Sequence, residues 1–136
     1  MNPIKNKDKT QPGSILIIDD NPTDALLMKE AFAISEINNE IDIVDDSCLA
    51  LRFIKEQTLL PKIILLDLNM PRKSGLELLT ELRSDPKLSF IPVIIFTSSD
   101  APEDVKAAYE HGSNAYIRKP GDFESYIKIA KSIKYF

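Results

Sequence analysis

A single cysteine and a single histidine among 136 residues set the first limits on what this chain can do. Cys48 has no partner for an internal disulfide, and a lone thiol among apolar neighbours reads as a small buried hydrophobe rather than a nucleophile. A reducing cytosol suits it. His111 alone cannot build a histidine metal cluster, and its place near a helix end suits capping or an interaction with the helix dipole rather than catalysis. Basic surplus is missing too: 17 Lys and Arg against 21 Asp and Glu leave a net charge of -4, which offers no electrostatic footprint for a nucleic-acid backbone. No apolar run passes about five residues, against the roughly 20 needed to cross a bilayer. The N-terminus has lysines without the apolar stretch of a secretory leader. These absences lead to the expectation of a cytoplasmic chain whose partners are neither nucleic acid nor membrane.

What is present is enough apolar material, 43% of residues, for the core of one domain. Residues 1–13 carry Lys5, Lys7, Lys9, two prolines and a glycine, a composition that buries too little surface to order itself. They are expected to form a flexible tail ahead of a domain over 14–136. Three short runs, Ile15 to Ile18, Ile63 to Leu66 and Val93 to Phe96, are apolar without polar alternation, as strands covered on both faces should be. Ile41 to Val44 and Ala115 to Arg118 are weaker strand candidates. Helical stretches lie between them. Asn21 as N-cap with Pro22 at the first helical position opens the first helix, with Asp24 in its first turn and the stripe Ala25, Met28, Ala31, Phe32 behind it. A second, less distinctive helix spans about Ser47 to Glu56. The third carries Leu76, Leu78, Leu79 and Leu82 and runs down at Asp85-Pro86. The fourth enters at Pro102, shows Val105, Ala108 and Tyr109, and stops at Gly112. The last begins near Asp122.

Five strand-helix units with short connections and right-handed crossovers predict an α/β fold. The expected form is a flavodoxin-like, doubly wound parallel sheet of five strands in the order 2-1-3-4-5 with helices on both faces. Such sheets bind ligands beyond the carboxyl ends of their strands, at the switch point between the first and third. The inferred strands end there in polar groups: Asp19 and Asp20 after ILII, Asp67 after IILL, Thr97 after VIIF, and Lys119 after the fifth strand. A single aspartate after a strand is ordinarily a turn former or helix cap, Thr97 alone suits a strand, and Lys119 alone suits a solvated strand end. Together they mean something else. Three converging carboxylates repel one another unless a cation occupies them, and oxygen ligands of this kind suit Mg2+, which keeps waters for a phosphate to replace. Lys119 adds a positive charge able to meet a phosphoryl oxygen.

With these motifs in place, residues 14–136 resemble the receiver domain of two-component response regulators. The resemblance implies that Asp67 is the phosphoacceptor, that Asp19 and Asp20 hold Mg2+ with Asp67 and the Asn69 backbone carbonyl, and that Thr97 and Lys119 contact the phosphoryl group. Pro71 and Gly75 match the loop after the acceptor, and Tyr116 the aromatic switch position, although a plain buried aromatic is an equal alternative there. The Lys119–Pro120 peptide is typically cis in the family. LLDLNMPRKSGLELL, SDPKLSFIPVIIFTSS and KPGDFESY are similar to the small single-domain regulators that partner bacterial phytochrome-type histidine kinases. Ser74 and Gly121 depart from that branch, which often has Asp and a bulkier apolar residue there.

The resemblance implies transfer of a phosphoryl group from a kinase phosphohistidine to Asp67, followed by a shift of Thr97 and Tyr116 that changes the surface of the fourth helix, fifth strand and last helix. With no second domain expected, the signal would leave by protein contact or by phosphorelay. In the last helix Phe123, Tyr126, Ile127, Ala130 and Ile133 form a core stripe, and Ile129 and Phe136 extend it, which motivates a homodimer through this helix and the fifth strand. Two rival functions stand beside the switch. One is a pseudo-receiver that keeps the fold as a binding module without taking phosphate. The other is a phosphatase of the haloacid dehalogenase type, disfavoured because Asn69 stands where that family needs a second aspartate.

Overall fold

The computed structural model describes residues 13–135. Five strands, β1 (Ile15–Ile18), β2 (Ile41–Val44), β3 (Ile63–Leu66), β4 (Val93–Thr97) and β5 (Ala115–Arg118), alternate with five helices, α1 (Pro22–Ile34), α2 (Ser47–Lys55), α3 (Gly75–Ser84), α4 (Pro102–Glu110) and α5 (Phe123–Lys134). The strands pair in parallel in the order β2-β1-β3-β4-β5, as the sequence predicts. The expected tail lies outside the described residues apart from Gly13.

The unbroken apolar runs follow from burial on both faces. Because side chains alternate along a strand, Leu16, Ile18, Ile64, Leu66, Val93 and Ile95 enter one core with α2, α3 and α4. Their neighbours Ile15, Ile17, Ile63, Leu65, Ile94 and Phe96 enter the other with α1 and α5. Neither face leaves room for a polar position. Phe96 also meets Tyr126 edge-to-face, with ring centroids 5.7 Å apart, which joins β4 to α5.

Helix starts are set locally. The Asn21 side chain accepts from the Asp24 N–H and Pro22 follows it, Asp46 accepts from Cys48 N, and Asp122 accepts from Ser125 N. Ser74, one of the departures noted above, forms a capping box with Glu77 at the start of α3, so a serine there has its own helix-starting role. After α4, His111 is the C-cap, its ring Nδ1 lies 2.7 Å from the Ala107 carbonyl, and Gly112 has φ 101°, the left-handed turn that favours glycine.

Several expectations need correction. Cys48 is exposed: α2 buries Ser47, Ala50 and Ile54, and Cys48 is rotated off that stripe by one residue. Tyr109 is exposed as well, because only Ala108 of α4 is fully buried. Ile129 packs against the second core, so it contributes less free apolar surface to an α5 interface than its position in the sequence suggests. Phe136 lies outside the described residues. The isomer of Lys119–Pro120, which the sequence leaves open, is trans, as no peptide among the described residues is cis. The small energy gap between X–Pro isomers leaves that choice to local packing. No helix among them is long and apolar enough to cross a membrane.

Candidate functional site

Asp19, Asp67 and Thr97 all stand at the carboxyl edge of the sheet, each directly at the end of a central strand, and all three are buried. Register puts them there. Ile18 pairs with Leu66, so Asp19 and Asp67 leave adjacent strands at the same level, and the Asp67 N–H donates to the Ile18 carbonyl at 3.0 Å. Asp20 is exposed at the rim. Carboxylate oxygens of Asp19, Asp20 and Asp67 all lie within 4.8 Å of one another, a spacing suited to one metal ion.

The cation expected from the fifth strand is in place. Lys119, its side chain only 6% exposed, puts Nζ 2.8 Å from Asp19 Oδ2, 2.8 Å from Asp24 Oδ2 and 3.1 Å from Asp67 Oδ2. An ammonium has three donors, and here each meets a carboxylate. Burial alone would lower the pKa of Lys119. The hydrogen bonds to Asp19 and Asp24 and the charges of Asp19 and Asp67 outweigh it, so the ammonium is held charged. Asp19 shows the opposite balance: burial raises it to about 6 despite its hydrogen bonds to Lys119 and to the Asn21 N–H at 2.9 Å. Three carboxylates, Asp19, Asp24 and Asp67, thus share one ammonium, and Asp20 adds a fourth negative charge beside Asp19 and Asp67. A further positive charge would relieve that excess, so the donor set fits a hard divalent ion.

Thr97 adds a second unmet demand. Its Oγ1 is fully buried and has no hydrogen-bond partner, and a buried hydroxyl left unpaired costs stability. Tyr116 on β5 is half-buried and donates from its hydroxyl to the Ser99 carbonyl at 2.7 Å. Burial raises the pKa of its phenol, and the bond to Ser99 partly offsets this. The same loop is tied down by Ser99 donating to Asp104 and by Arg118 donating to Asp100 at 3.1 Å.

Behind Asp67 the chain makes a close turn. Asn69 N lies 3.4 Å from Asp67 Oδ1, and Gly75 N donates to the Leu68 carbonyl at 2.8 Å. A Cβ on Gly75 would sit 2.2 Å from the Asp67 carbonyl oxygen, so only glycine fits. The loop is also tied to α2 through Arg72–Asp46 and through Ser47 donating to the Lys73 carbonyl.

All five strand-end residues picked out from the sequence therefore fall at one edge, where Lys119 meets Asp19 and Asp67 directly and Asp20 lies in the same carboxylate cluster. The residue that sequence reasoning placed only as a first-turn helix acid is Asp24. Its signal was its position one helical turn past the Asp19-Asp20 pair, but its contact with Lys119 spans 95 residues of chain and needed the fold.

Comparison with known proteins agrees with this geometry. Response regulator Rcp1 of Synechocystis sp. is 35% identical over 130 residues, covering 92% of this chain and 88% of that protein. The crystal structure of its Mn(2+)-bound form superposes with a TM-score of 0.82 over 92% of this chain and 94% of that one. The phosphorylated cyanobacterial phytochrome response regulator RcpA, 34% identical, superposes with a TM-score of 0.85, covering 93% and 94%. The model of the response regulator receiver domain matches residues 15–131. With that match over strands that end in the acidic cluster and its lysine, the chain belongs to the response regulator receiver domain family.

Proposed function

We propose that the chain is a phosphorylation-dependent signalling switch in which Asp67 receives a phosphoryl group from a sensor histidine kinase of the phytochrome type, the type that the name of its relative RcpA indicates. The single observation that carries this is the setting of Asp67: its Oδ2 lies 3.1 Å from Lys119 Nζ, and its carboxylate stands in a cluster with Asp19 and Asp20 whose oxygens lie within 4.8 Å of one another. A carboxylate so placed is a nucleophile with an electrophilic clamp beside it.

In the transfer, one Asp67 oxygen bonds to phosphorus while the phosphorus–nitrogen bond of the donor breaks and its electron pair leaves on the imidazole nitrogen. The product is an acyl phosphate. Asp19, Asp20, Asp67 and the Asn69 carbonyl would hold Mg2+, which supplies charge neutralisation on the transferring oxygens. Lys119 orients one of those oxygens, and the unpartnered Thr97 hydroxyl gains in it the acceptor it lacks. Thr97 then draws the β4–α4 loop inward, and the Tyr116–Ser99 bond must break or move with it. The altered surface of α4, β5 and α5 carries the signal to a protein partner, with a second copy of the chain as one candidate.

The test is incubation with phosphoramidate and Mg2+, read by intact mass. The wild type should gain one phosphoryl group, and neither Asp67→Asn nor a chelator-treated sample should. Equal labelling of Asp67→Asn would refute the assignment, and an unlabelled wild type would favour the pseudo-receiver.

A further inference from the structure

Lys119 is held by three carboxylates, and two of them have other work. In the proposed transfer Asp67 becomes an acyl phosphate and Asp19 would turn an oxygen to the metal. Asp24 has neither task. It lies outside the acidic cluster, on the first turn of α1, where the Asn21 cap fixes its backbone through a 3.1 Å bond. Its Oδ2 accepts from Lys119 Nζ at 2.8 Å, no longer than the distance from Asp19.

We infer that Asp24 is a positioning residue for the transfer, the anchor that keeps the Lys119 ammonium aimed at the phosphoryl oxygens after Asp19 and Asp67 are drawn away. This rests on the proposed function and goes beyond it by adding a residue to the machinery. A lysine side chain has four rotatable bonds and a compact, freely turning head. Left with no protein partner at the moment of transfer, it would lose the direction on which its contribution depends. Asp24 retains one of its three donors and leaves two for the incoming group. The anchor also comes from a rigid element, since α1 buries Ala25, Met28, Ala31 and Phe32 against the sheet.

A plain structural role, a buried ion pair that happens to join α1 to β5, predicts something different. The two are separated by a double-mutant cycle in the full chain, with phosphoramidate as donor and Mg2+ saturating. Asp24→Asn keeps the shape and removes the charge. It should slow labelling on the order of tenfold in the wild-type background, have less than a twofold effect in Lys119→Ala, and be partly rescued by Asp24→Glu. Mn2+ affinity, read by electron paramagnetic resonance, should stay within about twofold, because Asp24 is no ligand. Equal slowing in both backgrounds, or no slowing in the first, overturns the inference while labelling of the wild type leaves the switch intact. An unlabelled wild type overturns both.

A second measurement needs no substitution. In a crystal structure of the unaltered chain with Mg2+ and beryllium trifluoride, Asp24 Oδ2 should stay within hydrogen-bond distance of Lys119 Nζ. A separation beyond about 4 Å would show that Lys119 is aimed without it.

Discussion

The backbone N–H of Lys119 donates to the Thr97 carbonyl at 2.7 Å. That bond continues the β4–β5 ladder one step past the last strand pair, Thr97 with Arg118, and fixes the two residues proposed to read a phosphoryl group against one another. They are in opposite conditions: the Lys119 ammonium has three partners and the Thr97 hydroxyl has none.

The orphaned hydroxyl makes Thr97→Val informative, because the two side chains have nearly the same shape. Removing an unpaired buried hydroxyl should leave the unphosphorylated protein as stable or up to about 1 kcal/mol more stable in urea denaturation. Labelling of Asp67 should persist, but the Tyr116–Ser99 bond should no longer respond to it, read as an unchanged tyrosine environment by NMR. Destabilisation by more than about 1 kcal/mol would mean the hydroxyl already has a partner.

Gly75→Ala places a Cβ 2.2 Å from the Asp67 carbonyl oxygen and 2.8 Å from Leu68 Cα. Both are backbone, so the loop behind the acceptor must shift. A cost of about 1–3 kcal/mol is expected, with slower labelling of Asp67 because its carboxylate moves with its own backbone. Unchanged melting and unchanged labelling together would show that the turn is slack.

Arg83 works at the other end of the sheet. Its guanidinium donates to the carbonyls of Gly112, Ser89 and Ile91 and to Asn114 Oδ1, at 2.8–3.1 Å, and Asn114 Oδ1 in turn accepts from Val93 N at 2.8 Å. One side chain thus joins α3 to the segments that enter β4 and β5. Arg83→Met should cost about 2–3 kcal/mol in denaturant titration while the labelling rate stays within about twofold, since the clamp is remote from Asp67. Arg83→Lys should not rescue it, because an ammonium cannot span the same fork.

Asp19 gives a pH dependence with a definite sign. Its carboxyl is raised from 3.8 to about 6 in the fold, chiefly by burial, so the folded state takes up this proton more readily than the unfolded chain. The contribution to stability is present below about pH 4 and is lost as pH rises through about 6. Metal-free Asp19→Asn should therefore melt higher than wild type at pH 7 and lose that advantage near pH 4. Saturating Mg2+ should raise the wild type above the variant at pH 7. A variant that melts lower than metal-free wild type at pH 7 would contradict this balance.

The fold was legible because its signals are local. Apolar runs of four or five residues, Asn21-Pro22 at one helix start and Gly112 at a helix end name their own elements, and parallel pairing follows from their alternation. Convergence of Asp19, Asp67, Thr97 and Lys119 was legible because the strand ends of such a sheet share one edge. What stayed hidden depends on rotation or on distance. Cys48 and the buried Ser47 differ by one helical step that composition does not resolve, and Tyr109 looked like core because α4 carries so short a stripe. Asp24 and Arg83 act on residues far along the chain, and nothing near them in sequence marks those partners.

The most direct measurement is chemical mapping of the modified residue. After incubation with phosphoramidate and Mg2+, borohydride reduction converts an aspartyl phosphate to homoserine, and peptide mass spectrometry locates it. Homoserine at position 67 alone, absent without Mg2+ and absent in Asp67→Asn, is the predicted result. No conversion, or a phosphoryl group carried by another side chain such as His111, would contradict the assignment of Asp67 as the acceptor.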